Sequence, residues 1–118
     1  MKEKGIRVLS LQPGEKPARA ELVNTLEAMQ QFVGGLIECI PLDADPDDGG
    51  EILLVANDEG KLMGLAPNRW LWDGLDLLVG PAFIAAGDSE GNICSLSDAQ
   101  MERYSQQFAQ PVLTEAEQ

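Results

Sequence analysis

The chain has 118 residues, 44% of them apolar, which is the size and composition of one folded domain and not of a disordered segment. Its 20 acidic and 8 basic residues give a net charge of −12, which disfavours direct contact with nucleic acid phosphates. From residue 21 onwards only three bases, Lys61, Arg69 and Arg103, accompany 18 acids. Such a surface favours basic partners, or it serves solubility alone.

No segment predicts export or membrane insertion. The N-terminus is charged and lacks the apolar core of a signal peptide, and the uncharged run over residues 77–87 is too short to span a bilayer. We therefore expect a cytoplasmic protein with no membrane partner. Cys39 and Cys94 lie in apolar stretches without CxxC spacing, and we expect both to be buried free thiols. The alternative is a disulfide between them, which requires that the fold bring the two residues close together.

The first part of the chain predicts a hairpin, a helix and a strand. Residues 6–11 and 18–22 flank a turn with proline and glycine, so they predict paired strands. Asn24 and Glu27 predict a capping box for a helix that ends at the glycine pair after Val33. Residues 36–42 then predict a strand, and an acidic loop follows it.

The middle of the chain predicts a second hairpin. Residues 51–57 predict a buried strand, and the turn after Asn57 predicts that residues 61–65 return beside it. Both tryptophans lie in the next segment, where Pro67 can begin a helical turn. Residues 75–79 fit either the end of a short helix or a buried strand, and the pattern does not decide between them.

The last part predicts two strands, at residues 82–86 and 93–94, and then a helix. Ser97 and Gln100 form a second capping box, and Met101, Tyr104 and Phe108 share one apolar face of the helix that follows. The whole order predicts one α+β domain over residues 1–118. We expect a mostly antiparallel sheet of about five to six strands, with two main helices packed on one face of it and a polar tail that frays from about residue 112.

The sequence offers little catalytic machinery. It contains no histidine, which removes the commonest general base, the commonest metal ligand and every Ser-His or Cys-His nucleophile pair. It also lacks the glycine motifs that bind phosphates. We therefore expect no cofactor, and an enzyme is the least favoured hypothesis, with the paired carboxylates of the acidic loop as its one remaining option.

The acidic loop resembles only the start of a calcium site. Asp43, Asp45 and Asp47 have the spacing of an EF-hand loop. Asp48 then stands where that loop needs glycine, and Leu54 stands where it needs a bidentate glutamate. We predict weak, adventitious divalent-cation binding here at most, and no dedicated metal site.

The segment around the tryptophans is the best candidate for a ligand- or partner-binding surface. An arginine stacked on tryptophan recognises carboxylates, phosphates or flat rings, so we select Asn68, Arg69, Trp70 and Trp72. The alternative is structural: Arg69 pairs with a nearby acid, and one tryptophan fills the core.

Four stretches of the chain, taken in order, carry a resemblance to a known family. They are residues 24–35 with Ile37 and Glu38, residues 57–62 with 64–65 and 67–69, residues 80–84, and residues 95–98 with the helix after them. Together they resemble a family of domains of unknown function, number 3846 in its series, whose members occur in phages, plasmids and other bacterial mobile elements. The resemblance covers roughly residues 6–108. It implies no established activity or site residues. Small accessory proteins of such elements are often non-enzymatic, and many bind and block a component of host defence.

Two functional hypotheses follow. The first is a non-enzymatic accessory protein that binds and blocks a host component, with a host or phage protein or a small ligand as its partner. The alternative is an acidic DNA mimic that acts against restriction enzymes. A homodimer is compatible with either hypothesis if a strand edge or the tryptophan surface is exposed.

Overall fold

The computed structural model describes residues 5–44 and 50–112, which form a six-stranded sheet, a two-stranded sheet and two α-helices. The elements in chain order are β1 Gly5–Leu11, β2 Ala18–Val23, α1 Leu26–Val33, β3 Ile37–Ala44, β4 Glu51–Asn57, β5 Pro67–Leu71, β6 Asp76–Val79, β7 Ala82–Gly87, β8 Ile93–Cys94 and α2 Asp98–Gln107. The fold is therefore α+β, as the sequence predicts.

The main sheet is antiparallel and is built around β7. Its order is β2-β1-β7-β4-β3, and β8 also pairs with β7. Every residue of β7 is buried, because the strand has neighbours on both sides and apolar clusters on both faces. The continuous apolar run in its sequence is the pattern expected of such a strand.

Successive side chains of a strand point to alternate faces of the sheet, and the core is therefore divided into two clusters. Phe83 and Val55 belong to one cluster, which also contains Met29 of α1. Ile84 belongs to the other, which also contains the buried residues of α2, namely Met101 and Tyr104 with Phe108 after them. Since neighbouring residues of a strand point to opposite faces, the buried residues of the two helices lie on opposite sides of the sheet. The expectation that both helices share one face is not what these clusters show.

Helix α1 is capped by a different residue from the one expected. The Thr25 hydroxyl accepts a hydrogen bond from the Ala28 backbone N–H at 3.1 Å. Asn24 does not cap the helix, because its side-chain amide donates to the Ile93 carbonyl at 3.1 Å. The predicted end is confirmed, since Gly34 adopts φ of 82° at the C-cap. The predicted Ser97–Gln100 capping box of α2 is confirmed as well.

The predicted return strand at residues 61–65 is wrong. Residues 58–64 instead form consecutive turns, with the Met63 N–H donating to the Glu59 carbonyl at 2.9 Å. Strand β4 pairs with β3 on one side and β7 on the other, so it has no free edge for a hairpin partner. Leu62 in this segment is 87% exposed.

The segment that carries the tryptophans is a β-hairpin. β5 pairs with β6, and this pairing decides that residues 76–79 form a strand and not a helix end. Leu71 and Leu78 place the hairpin on the cluster that contains α2. The expected helical turn at Pro67 is absent, since Pro67 opens β5.

Cys39 and Cys94 are not joined by a disulfide, and both are less buried than expected. Cys39 is exposed because β3 is one of the two outer strands of the sheet, and Cys94 is half-buried. A strand at the edge of a sheet covers fewer of its side chains than a central strand does.

Gly80 should be essential to the connection between β6 and β7. It adopts φ of 79°, and a Cβ added there would lie 2.6 Å from Leu65 Cδ1. Gly91 adopts a similar φ of 87° with nothing within 4 Å. We expect Gly91→Ala to lower the free energy of unfolding by about 1 kcal/mol, through backbone strain alone. Gly80→Ala should cost a further ~1 kcal/mol, because the half-buried Leu65 side chain must change its conformation to make room. Urea denaturation measures both, and equal losses would contradict the close contact.

Candidate functional site

A cleft of about 690 Å³ opens between the tip of the β5–β6 hairpin, the outer strand β3 and the C-terminal end of α2. Its volume is within the range of sites that bind small molecules or a partner's side chains. The lining residues are Leu42, Trp70, Leu71, Trp72, Asp73, Gly74, Gln107 and Phe108.

Aromatic and aliphatic side chains provide most of the cleft surface. The sequence contains two tryptophans, and both line the cleft. Trp70 is 57% exposed and Trp72 is 48% exposed, whereas Leu71 and Phe108 beside them are buried. Large aromatic surface left in contact with water is a feature of binding sites, because its burial by a ligand is strongly favourable.

The tip of the hairpin has an unusual backbone. Trp72 and Asp73 adopt φ of 48° and 55°, and Gly74 follows with φ of 89°. The turn closes through the N–H groups of Gly74 and Leu75, which donate to the Leu71 carbonyl at 3.1 and 3.0 Å. The left-handed region is uncommon for residues other than glycine and unfavourable for a bulky side chain such as tryptophan. Conformations of this kind are often retained at functional sites.

The other two selected residues point away from the cleft. Asn68 and Arg69 are 0% and 1% exposed. Two neighbouring residues of a strand normally face opposite sides, but the register shifts between Pro67 and Arg69, so both side chains turn inward. Neither can contact a ligand without a change in the structure.

The guanidinium of Arg69 bonds to backbone carbonyls and not to a carboxylate. Its Nε donates to the Phe108 carbonyl at 2.7 Å, and Nη2 donates to the Glu15 carbonyl at 2.6 Å. Nη1 donates to Asn68 Oδ1 at 2.8 Å and to the Gln12 carbonyl at 3.4 Å. Among residues 5–44 and 50–112, the four ion pairs do not include Arg69. Burial lowers the pKa of this guanidinium from its usual value.

Asn68 extends the same network. Its side-chain amide donates to the carbonyls of Leu11 and Gly80 at 2.8 and 2.7 Å. The backbone carbonyl of Asn68 accepts from the Val112 N–H at 2.9 Å. The buried pair therefore joins β5 to β1, to the start of β7 and to the chain beyond α2. Asn68 and Arg69 are buried beneath the strand that borders the cleft, whereas Trp70 and Trp72 line the cleft itself.

The structure thus separates the four residues that the sequence grouped together. The expected stacking surface of arginine and tryptophan does not form, because the bulge sends Arg69 inward and leaves Trp70 outside. The structural alternative is also inaccurate, since Arg69 bonds carbonyl oxygens and neither tryptophan fills the core. Ligand binding at Trp70 and Trp72 remains a prediction.

Several lining residues could not be found from the sequence. Three of them, Leu42, Gln107 and Phe108, are distant from the hairpin in the sequence, and only the tertiary fold brings them close to it. Asp73 and Gly74 carried a local signal, since this dipeptide is typical of hairpin turns.

The predicted weak cation site is only partly described. The Asp43 carboxylate accepts from the Tyr104 hydroxyl at 2.8 Å and pairs with Arg103 at 3.3 Å. Asp45 and Asp47 lie outside the described residues. Within the described ranges, no three acids or cysteines are grouped as metal ligands would be. In the same part of the chain, neither helix has the length and hydropathy needed to cross a bilayer.

The comparison with known proteins supports the family expected from the sequence. A family model, described as a domain of unknown function (DUF3846), matches residues 6–109. This chain belongs to the DUF3846 family. Neither a curated protein nor a solved structure matches the chain.

The Arg69 network should be a major source of stability. Arg69→Met would leave the buried Phe108 carbonyl and the buried Asn68 Oδ1 without their donor, which predicts a loss of about 2–4 kcal/mol in the free energy of unfolding. Arg103→Met is the matched control, because it removes an exposed pair with Asp43 and should cost less than ~1 kcal/mol. Thermal or urea unfolding of both variants gives the comparison. A similar loss in both would show that the buried network contributes little.

Proposed function

We propose that this DUF3846 protein is a non-enzymatic binding protein whose partner contacts the cleft at Trp70 and Trp72. In this proposal it is a cytoplasmic accessory protein of a phage or another mobile element, and it blocks the host component that it binds. The observation that carries the proposal is the pair of half-exposed tryptophans in one cleft.

Exposed tryptophan supports a binding role on energetic grounds. Tryptophan is among the residues that contribute most to interfaces when a partner removes it from water. Trp72 also occupies a left-handed conformation that its own side chain disfavours. Folding alone offers no reason to place a bulky, half-exposed aromatic residue in such a turn.

The buried residues beneath the cleft support the same role. The buried Asn68–Arg69 network holds β5 from one side and leaves the tryptophan side free. A site whose shape is held before binding loses less conformational entropy when the partner arrives. The absence of histidine from the sequence makes a catalytic use of this cleft less favourable.

The setting in a mobile element rests on the family resemblance, and the blocking role is an analogy with other accessory proteins of such elements. The DNA mimic is the alternative, and it depends on the surplus of acids over the whole surface instead of on the cleft. The two proposals differ in their dependence on the tryptophans. Binding at the cleft should be lost when both tryptophans are removed, whereas binding by a DNA mimic should persist without them and should weaken steeply as ionic strength rises.

Affinity capture from a lysate of the bacterial host, at low and high salt, tests the proposal. The tagged wild-type protein is compared with Trp70→Ala/Trp72→Ala and with Leu62→Ala, a control that removes an exposed apolar side chain outside the cleft lining. We expect one partner or metabolite to be retained by the wild type and the control, and to be reduced at least about tenfold in the double variant.

Two results would contradict this expectation. A partner that the double variant retains fully would place the binding surface elsewhere. A partner that every variant holds at low salt and loses at high salt would favour the DNA mimic. Circular dichroism must show that the double variant is folded, which is expected because both side chains are half-exposed.

A further inference from the structure

We propose that the cleft recognises a basic segment of a partner protein, with a lysine or arginine side chain entering against Trp70 and Trp72. This inference deepens the proposed function and rests on it. It reverses the expectation drawn from the sequence, in which Arg69 would have selected an anion or a flat ring.

The charge of the cleft lining carries the first step. Among the residues that the structure describes around the cleft, Asp73 is the one ionisable side chain, and it is exposed. Gln107 is the other polar side chain in that set. A carboxylate beside aromatic rings attracts a cation and repels an anion.

Arg69 does not reverse that preference. It is 1% exposed, and its guanidinium nitrogens already donate to the Phe108, Glu15 and Gln12 carbonyls and to Asn68. A ligand in the cleft therefore cannot form a hydrogen bond with this guanidinium without breaking the internal network. Arg69 therefore supports the cleft but is not available to an anion.

The aromatic surface adds a second attraction. The faces of indole rings carry negative charge density and bind ammonium and guanidinium groups, with tryptophan the most effective of the aromatic residues. Both tryptophans of the chain line this cleft and are half-exposed. The same side chains would bury the aliphatic stem of a lysine or arginine.

The surrounding surface favours a protein over a small cation. Residues 21–118 hold 18 acids and three bases, and two of those bases, Lys61 and Arg103, are paired with Asp76 and Asp43. The third is Arg69, which is buried. Over the whole chain the acids outnumber the bases by 20 to 8, so a partner with several basic residues gains more from long-range attraction than a single small cation does.

A pair of isosteric peptides tests the proposal. One is a glycine-spaced peptide with three arginines, and the other has citrulline in place of each arginine, which keeps the shape and removes the charge. The reporters are the two indole Nε1–H signals in the NMR spectrum, since the chain has two tryptophans. We expect the arginine peptide to shift both signals and to bind at least about tenfold more tightly than the citrulline peptide.

Asp73→Asn tests the role of the carboxylate. Asparagine is accepted in the left-handed conformation of this turn, so the backbone should be kept. Asp58→Asn is the matched control, because it removes one exposed carboxylate outside the cleft lining. We expect Asp73→Asn to weaken the arginine peptide about three- to tenfold, and Asp58→Asn to change its affinity less than about twofold.

Several outcomes would overturn the proposal. Equal binding of the two peptides, or no binding of either, would show that the cleft does not recognise a cation. Equal losses of affinity in the two variants would show general charge attraction only. Choline binding as tightly as the arginine peptide would identify a small cation instead of a protein segment. If any of these results appears while tryptophan-dependent capture of a partner persists, the binding function stands and only the basic segment is wrong.

Discussion

The arrangement of this protein depends on one buried cation. The Arg69 guanidinium joins β5 to the turn after β1 and to the end of α2, three segments that are far apart in the sequence. Burying a charge without a counterion is costly, and hydrogen bonds to several carbonyl oxygens offset that cost here. Asn68 extends the connection to Leu11 and Gly80. Without this network, the two-stranded sheet would be attached to the rest of the fold mainly by apolar contacts.

The cleft is a consequence of that attachment. Because of the bulge after Pro67, the side chains of Asn68 and Arg69 both point into the protein and bond β5 to it. The next residue, Trp70, therefore faces outward. The turn after Leu71 then brings Trp72 and Asp73 to the same opening, in a left-handed backbone conformation that tryptophan disfavours. A strained turn of this kind persists only where the surrounding structure holds it in place, and the buried pair holds the strand that leads into this one.

Local signals predicted a large part of the fold. Apolar runs and turn residues located β1, β2, β4, β7 and β8, and Ser97 and Gln100 located the start of α2. The prediction failed at residues 61–65, because a turn signal does not reveal that β4 already has two neighbours. It also failed at Cys39, because the sequence does not say which strand lies at the edge of the sheet.

The candidate site was predicted only in part, and for the same physical reason. The sequence alone determined an acidic, histidine-free α+β domain and drew attention to the residues from Asn68 to Trp72, since composition and short-range patterns are local properties. Only the tertiary structure decided which of those side chains are buried and which are exposed, because one bulge changes the facing of every residue after it. It also decided that Leu42, Gln107 and Phe108 complete the cleft, since contacts between distant segments depend on strand order and helix placement.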